Sequence, residues 1–183
     1  GTHQGESRER RIPRSGGLHG REAWSNPDRL RSIILNCHSL KHKLIALEAL
    51  IQYESADLVF VTETWFPDRF NPVLPNFNLV ATSTRADTYA GHSGGCAIFI
   101  KNCNYLHVNY SRAFNPSQDC QTVTAIINNV TYVCVYRSPS QKKENIDKLT
   151  AFIRSLQEFP SIVVVGDLNI PTAKWELMST NEP

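Results

Sequence analysis

The sequence has no long apolar segment, and this lack excludes a membrane-spanning helix. No apolar run approaches the roughly 20 residues that such a helix needs, and no signal-peptide pattern opens the chain. Net charge is also low, +2 over 183 residues, so the charge permits a nucleic-acid partner without arguing for one. The length predicts one domain with a sizeable core.

Cysteine spacing excludes the usual zinc and disulfide frameworks. The five cysteines are odd in number, and none forms a CxxC pair or a Cys/His pair with zinc spacing. Cys37, Cys96 and Cys134 lie inside apolar segments, where a free cysteine is usually a small core residue. The pattern predicts free thiols in a reducing compartment, the nucleus or the cytoplasm.

The chain divides into a polar leader and one domain. Residues 1–28 are rich in Gly, Ser, Arg and Pro and predict a disordered basic leader, whereas residues 29–183 predict a globular domain. In that domain, apolar runs and helical periodicity alternate in the order of an α/β fold. The predicted strands are 31–36, 57–62, 77–84, 95–101, 105–110, 120–127, 131–136 and 162–165, and the predicted helices are 39–53 and 145–159.

The last predicted strand leads directly into polar residues. Its β-branched run, 162–165, has no polar break and predicts a strand that is buried on both faces. Gly166 permits a tight exit, and Asp167 and Asn169, two residues apart, lean to the same side. Gly, Asp and Asn are also ordinary turn residues, so this stretch alone leaves a plain strand-to-turn junction open.

Three other predicted strands also end in polar side chains. These are Asn36, Glu63 and Tyr136, which singly could be a helix cap, a loop acid and a rim aromatic. Together with Asp167 they predict a cleft at the carboxyl ends of the strands, where α/β sheets place their sites. Carboxylates and amides suit a hard cation such as Mg²⁺.

Two histidines are four residues apart at the start of the first predicted helix. His38 and His42 could bind a metal together, but no third ligand has matching spacing. The sequence therefore favours a solvated helix surface for both.

Five segments, in this order, resemble the motifs of the endonuclease/exonuclease/phosphatase superfamily: LNCHSLKHK, VTETW, SGGCAIFIK, VCVYRSPS and VVVGDLNIP. The resemblance covers about residues 33 to 175 and is closest to the apurinic-type endonuclease domain of non-LTR retrotransposons. It implies a four-layered α/β sandwich, two packed mixed sheets flanked by helices. It also implies hydrolysis of a phosphodiester in DNA with Mg²⁺, or with Mn²⁺ in its place, and a separate or lost reverse transcriptase domain.

The resemblance also implies roles for the strand-end residues. Glu63 would be the principal metal ligand, and Asn36 would lie near the metal and the phosphate. Asp167 would lie at the metal and orient or deprotonate the attacking water, and Asn169 would hold that water or a phosphate oxygen. Tyr136 would contact the scissile phosphate or the leaving group.

The chain departs from the superfamily pattern in two places. Residues 138–140 replace an asparagine that many relatives carry, and the closing Ser-Asp-His motif is absent from the 183 residues. These departures imply a domain that is incomplete at its C-terminus and lacks the last strands. They leave two alternatives to a DNA-nicking enzyme open: an inactive remnant or weak DNA-binding module, and a phosphoesterase that acts on a small or lipid phosphate.

If these residues are the full product, we expect a destabilised or partner-dependent domain, because lost strands leave backbone edges unpaired and apolar faces uncovered. Thermal unfolding followed by circular dichroism tests this expectation. A cooperative transition at the temperature of ordinary intact domains would contradict it.

Overall fold

The computed structural model describes residues 29–67, 69–84, 94–117, 120–139 and 143–170. The predicted leader, 1–28, lies outside the described residues. The elements, in chain order, are β1 (Ser32–Asn36), α1 (Leu44–Glu54), β2 (Leu58–Thr62), β3 (Phe77–Thr82), β4 (Cys96–Lys101), β5 (Val108–Ser117), β6 (Cys120–Ile127), β7 (Val130–Arg137), α2 (Lys143–Ser155) and β8 (Ile162–Asp167). In this described part, no helix is long and apolar enough to cross a membrane.

The strands form two four-stranded mixed sheets. The first sheet has the order β1-β2-β4-β3, and the second has the order β5-β6-β7-β8. In each sheet one pair is parallel, β1 with β2 and β7 with β8, and the remaining pairs are antiparallel. The predicted pair of mixed sheets is therefore confirmed.

Three apolar clusters hold the layers together. Between the sheets, Phe60 and Ile98 of the first sheet pack with Val123 and Cys134 of the second. Helix α1 covers the outer face of the first sheet through Leu47 and Ile51, and α2 covers the second through Leu149, together with Leu156 in the turn that follows α2. The order is helix, sheet, sheet, helix, the predicted four-layered sandwich.

Strand β2 shows why its sequence is an unbroken apolar run. Phe60 faces the opposite sheet, whereas Val59 and Val61 face α1, and all three are at most 1% exposed. Because alternate side chains point to opposite faces, a strand that is covered on both faces needs apolar residues at every position.

The prediction that the 162–165 strand is buried on both faces was wrong. Val163 is 39% exposed and Val164 is 36% exposed, because β8 is the outermost described strand of its sheet and pairs only with β7. Strand β1 ends the first sheet in the same way, and its Ile34 is 52% exposed. A β-branched run does not distinguish a central strand from an edge strand.

Element boundaries shift where the backbone turns or a strand lies at an edge. Helix α1 begins at Leu44 rather than at 39, because His38 and Ser39 have positive φ values of 42° and 74°. In place of the predicted strand 105–110, β5 begins at Val108 and continues to Ser117; it is an outermost described strand of its sheet, where Pro116 is tolerated.

The backbone at Gly166 leaves no room for a side chain. Its φ is +124°, and a Cβ there would lie 2.1 Å from the carbonyl oxygen of Val135 on β7. We expect Gly166→Ala to lower the free energy of unfolding by roughly 2–4 kcal/mol, since the strand must shift or strain. Urea denaturation measures this, with Val164→Ala, a truncation on the exposed part of β8, as the control. Equal losses in both variants would contradict the steric argument.

Candidate functional site

Sheet pairing gathers the polar strand ends at one edge of the sandwich. Asn36 pairs with Thr62 across the parallel strands β1 and β2, so Glu63 follows beside it. In the other sheet Tyr136 pairs with Asp167 across β7 and β8. Hydrogen bonds between the two sheets then join these two pairs of strand ends.

The amide of Asn36 bridges two carboxylates. Its Nδ2 donates to Glu63 Oε1 at 3.0 Å and to Asp167 Oδ2 at 2.8 Å. Its Oδ1 accepts the backbone N–H of His38 at 3.2 Å, which fixes the direction of the amide. Two carboxylates therefore face one neutral donor, and their combined negative charge favours a cation.

The exit of β2 holds Glu63 in an unusual backbone conformation. Glu63 and Trp65 both have a φ of 53°, in the left-handed region that costs non-glycine residues free energy. The Glu63 carbonyl accepts the Ser39 N–H at 2.8 Å, and the Trp65 N–H donates to the Gly94 carbonyl at 3.0 Å. These bonds hold the turn and direct a carboxylate that is only 16% exposed toward Asn36.

The exit of β8 is a braced turn. The backbone N–H of Asn169, at φ 45°, donates to Asp167 Oδ1 at 3.2 Å, and its Nδ2 donates to the Arg137 carbonyl at 2.7 Å. Arg137 Nη1 donates to the carbonyls of Leu168 and Asn169 at 3.1 and 2.5 Å. Asn169 thus ties the turn to β7 and positions one oxygen of Asp167.

Tyr136 completes the site as a neutral hydroxyl. It is 6% exposed. Burial raises the pKa of this phenol, and the adjacent carboxylate of Glu63, to which it is hydrogen-bonded, and that of Asp167 raise it further. The hydroxyl therefore stays protonated at neutral pH and donates to Glu63.

The sequence did not predict the contacts of three residues at the site. His38 lies in the turn before α1, and its Nδ1 is 3.1 Å from Glu63 Oε2. Arg137 is 5% exposed, and its guanidinium bonds to loop carbonyls. Lys43 Nζ donates to the carbonyls of Cys37 and His38 at 2.6 and 2.9 Å. The spacing of His38 and His42 marks the two histidines as a pair, but nothing in the sequence indicates that His38 contacts Glu63.

The donor set fits a hard divalent ion that keeps most of its water. Carboxylate oxygens of Glu63 and Asp167 approach the same amide. Among the described residues, no three His, Cys, Asp or Glu side chains form a metal cluster. Mg²⁺ is usually held by one or two carboxylates together with water and substrate oxygens rather than by a full protein cage.

Comparison with known proteins gives one family and several similar folds. The profile of the Endonuclease/Exonuclease/phosphatase family matches residues 33–182. No curated protein matches the sequence.

Three solved structures have a similar fold at low sequence identity. A 3′-5′ exonuclease (NExo) from Neisseria meningitidis is 18% identical, with a TM-score of 0.61, over 74% of this chain and 56% of that one. The 3′ phosphatase NExo from Neisseria bound to product DNA hairpin is 17% identical, with a TM-score of 0.58, over 80% and 60%. The endonuclease domain of TRAS1, a telomere-specific non-LTR retrotransposon, is 14% identical, with a TM-score of 0.50, over 77% and 59%. This chain therefore spans less than two thirds of each of them.

The raised pKa of Tyr136 should make the stability of the fold depend on pH in the alkaline range. Its folded pKa lies above that of an unfolded tyrosine, about 10, so above this pH the unfolded state releases a proton that the folded state keeps. Stability then falls with rising pH, by about 1.4 kcal/mol per pH unit for each such proton. We expect Tyr136→Phe to reduce that slope in urea unfolding between pH 8 and 11.5.

The matched control is Tyr53→Phe, because Tyr53 is 84% exposed. A slope that both variants reduce equally, or that neither changes, would show that burial beside Glu63 does not govern Tyr136.

Proposed function

Since the chain belongs to the endonuclease/exonuclease/phosphatase family, we propose that it is a phosphodiester hydrolase that uses Mg²⁺, or Mn²⁺ in its place, to nick DNA. One observation carries this proposal: Asn36 joins the carboxylates of Glu63 and Asp167 across the two sheets. Paired carboxylates around a fixed amide provide both a cation site and a base in one cleft.

In this proposal Glu63 and Asp167 have different roles. Glu63 would hold the ion, with Asn36 beside it, and the ion would supply positive charge to offset the negative charge on the phosphate and the leaving oxygen. Asp167 has one oxygen fixed by Asn36 and the other by the backbone N–H of Asn169. A carboxylate fixed in this way orients the attacking water and accepts its proton.

Tyr136 and Asn36 act on the phosphate. The Tyr136 hydroxyl is a protonated donor that can turn from Glu63 to a phosphate or leaving oxygen when substrate binds. The Asn36 amide lies between the two carboxylates and can exchange one of its hydrogen bonds for a phosphate oxygen. Asn169 holds the turn after β8 in place. The hydrogen-bonding capacity that remains on its side-chain amide holds water or a phosphate oxygen.

The proposed substrate and origin of the protein are supported by similar structures and by one sequence motif. Similarity to the Neisseria enzyme bound to product DNA hairpin supports DNA as the partner. The YRSPS motif and the fold of the TRAS1 endonuclease domain support descent from a non-LTR retrotransposon, with a reverse transcriptase as a separate or lost partner domain. A DNA substrate suits a nuclear or cytoplasmic protein.

Nicking of supercoiled plasmid tests the activity. We expect nicking with Mg²⁺ and none with EDTA. Glu63→Gln and Asp167→Asn should each reduce the rate at least about a hundredfold, because each removes a charged group from the reacting centre. The matched controls are Glu54→Gln on α1 and Asp147→Asn on α2, two exposed carboxylates that should keep the full rate.

Other results would identify the alternatives. DNA binding that weakens with salt, without nicking, would indicate an inactive remnant that binds DNA through its charges. Release of phosphate from small esters or lipid phosphates without nicking would indicate a phosphoesterase. Nicking that persists unchanged in both site variants would contradict the assignment of Glu63 and Asp167.

A further inference from the structure

We propose that His38 is a nitrogen ligand of the divalent ion, beside Glu63. Because this concerns the same ion, it rests on the proposed function and adds a ligand that sequence reasoning left on a solvated surface. The consequence is a mixed nitrogen and oxygen site, which holds Mn²⁺ more tightly relative to Mg²⁺ than an oxygen-only site does.

The distance between the two side chains fits two ligands of one ion. His38 Nδ1 and Glu63 Oε2 are 3.1 Å apart. Two ligand atoms at right angles around an octahedral ion, each about 2.1 Å from it, lie about 3.0 Å apart. The two atoms therefore already have the separation that two ligands of one ion would have.

The ring of His38 is held in place from its own turn and from Trp65. The two rings lie edge to face, with centroids 4.3 Å apart at an interplanar angle of 61°. The backbone N–H of His38 donates to Asn36 Oδ1, and its carbonyl accepts Lys43 Nζ. These contacts orient the imidazole toward Glu63 before any ion binds.

Exposure of the ring allows the required tautomer. The side chain of His38 is 73% exposed, whereas that of Glu63 is only 16% exposed. Solvent can therefore satisfy an N–H on Nε2, which leaves the lone pair of Nδ1 directed at the ion. Neutral imidazole is a common metal ligand in this form.

The nature of this ligand decides which ion is favoured. Imidazole suits first-row transition ions, whereas Mg²⁺ prefers oxygen. The other groups at the site are carboxylates, an amide and a phenol, so His38 is the nitrogen donor among these described side chains that distinguishes the two ions.

Electron paramagnetic resonance of bound Mn²⁺ tests the proposal without any assay of activity. In the unmodified chain we expect Mn²⁺ to show coupling to a nitrogen nucleus. His38→Asn should abolish the coupling, reduce Mn²⁺ affinity about tenfold and change Mg²⁺ affinity less, because the lost ligand is one that Mg²⁺ favours little. Asn is the chosen replacement because it tolerates the φ of 42° at this position.

Two further variants complete the experiment. His42→Asn, at an exposed position four residues along the chain, is the matched control and should keep both the coupling and the affinity. Glu63→Gln should abolish tight Mn²⁺ binding. Folding of each variant is checked by urea denaturation, so that loss of binding is not confused with loss of structure.

The outcomes separate this inference from the proposed function. Mn²⁺ that binds through Glu63 without nitrogen coupling, or with unchanged affinity in His38→Asn, would overturn the role of His38 and leave the proposed hydrolase intact. Absence of Mn²⁺ and Mg²⁺ binding to the unmodified chain would overturn both.

Discussion

The contact between Asn36 and Asp167 is the constraint on which the site depends. These residues are 131 positions apart in the chain, and they close the two sheets at one end of the sandwich. The same amide reaches Glu63. Without a donor between them, the two carboxylates would repel each other across a partly buried gap. The packing of the two sheets and the arrangement of the cleft therefore depend on the same contact.

Strained turns and two cationic side chains support that contact. His38, Ser39, Glu63 and Asn169 all have positive φ values, and all lie at strand ends that border the cleft. Backbone conformations of this kind persist where surrounding bonds over-determine them. The guanidinium of Arg137 and the ammonium of Lys43 donate to carbonyls of these turns, so both side chains act as structural supports.

The strands that carry Asn36 and Asp167 are also the least covered. Strands β1 and β8 each end a sheet in the described part, and both expose apolar side chains: Ile34, Val163 and Val164. Edge strands open locally more easily than central ones. The geometry of the cleft therefore depends on two strands, β1 and β8, each of which pairs with a described neighbour on one side only.

The sequence by itself determined the fold class, the order of the strands and helices, and the strand-end residues that meet in the cleft. Those features follow from local periodicity, turn residues and motifs. Tertiary structure alone decided that β8 is the outermost described strand of its sheet, that Arg137 is buried and that His38 reaches Glu63. The reason is physical: exposure and hydrogen-bond partners depend on which distant strands lie alongside, and residue types alone do not encode that pairing.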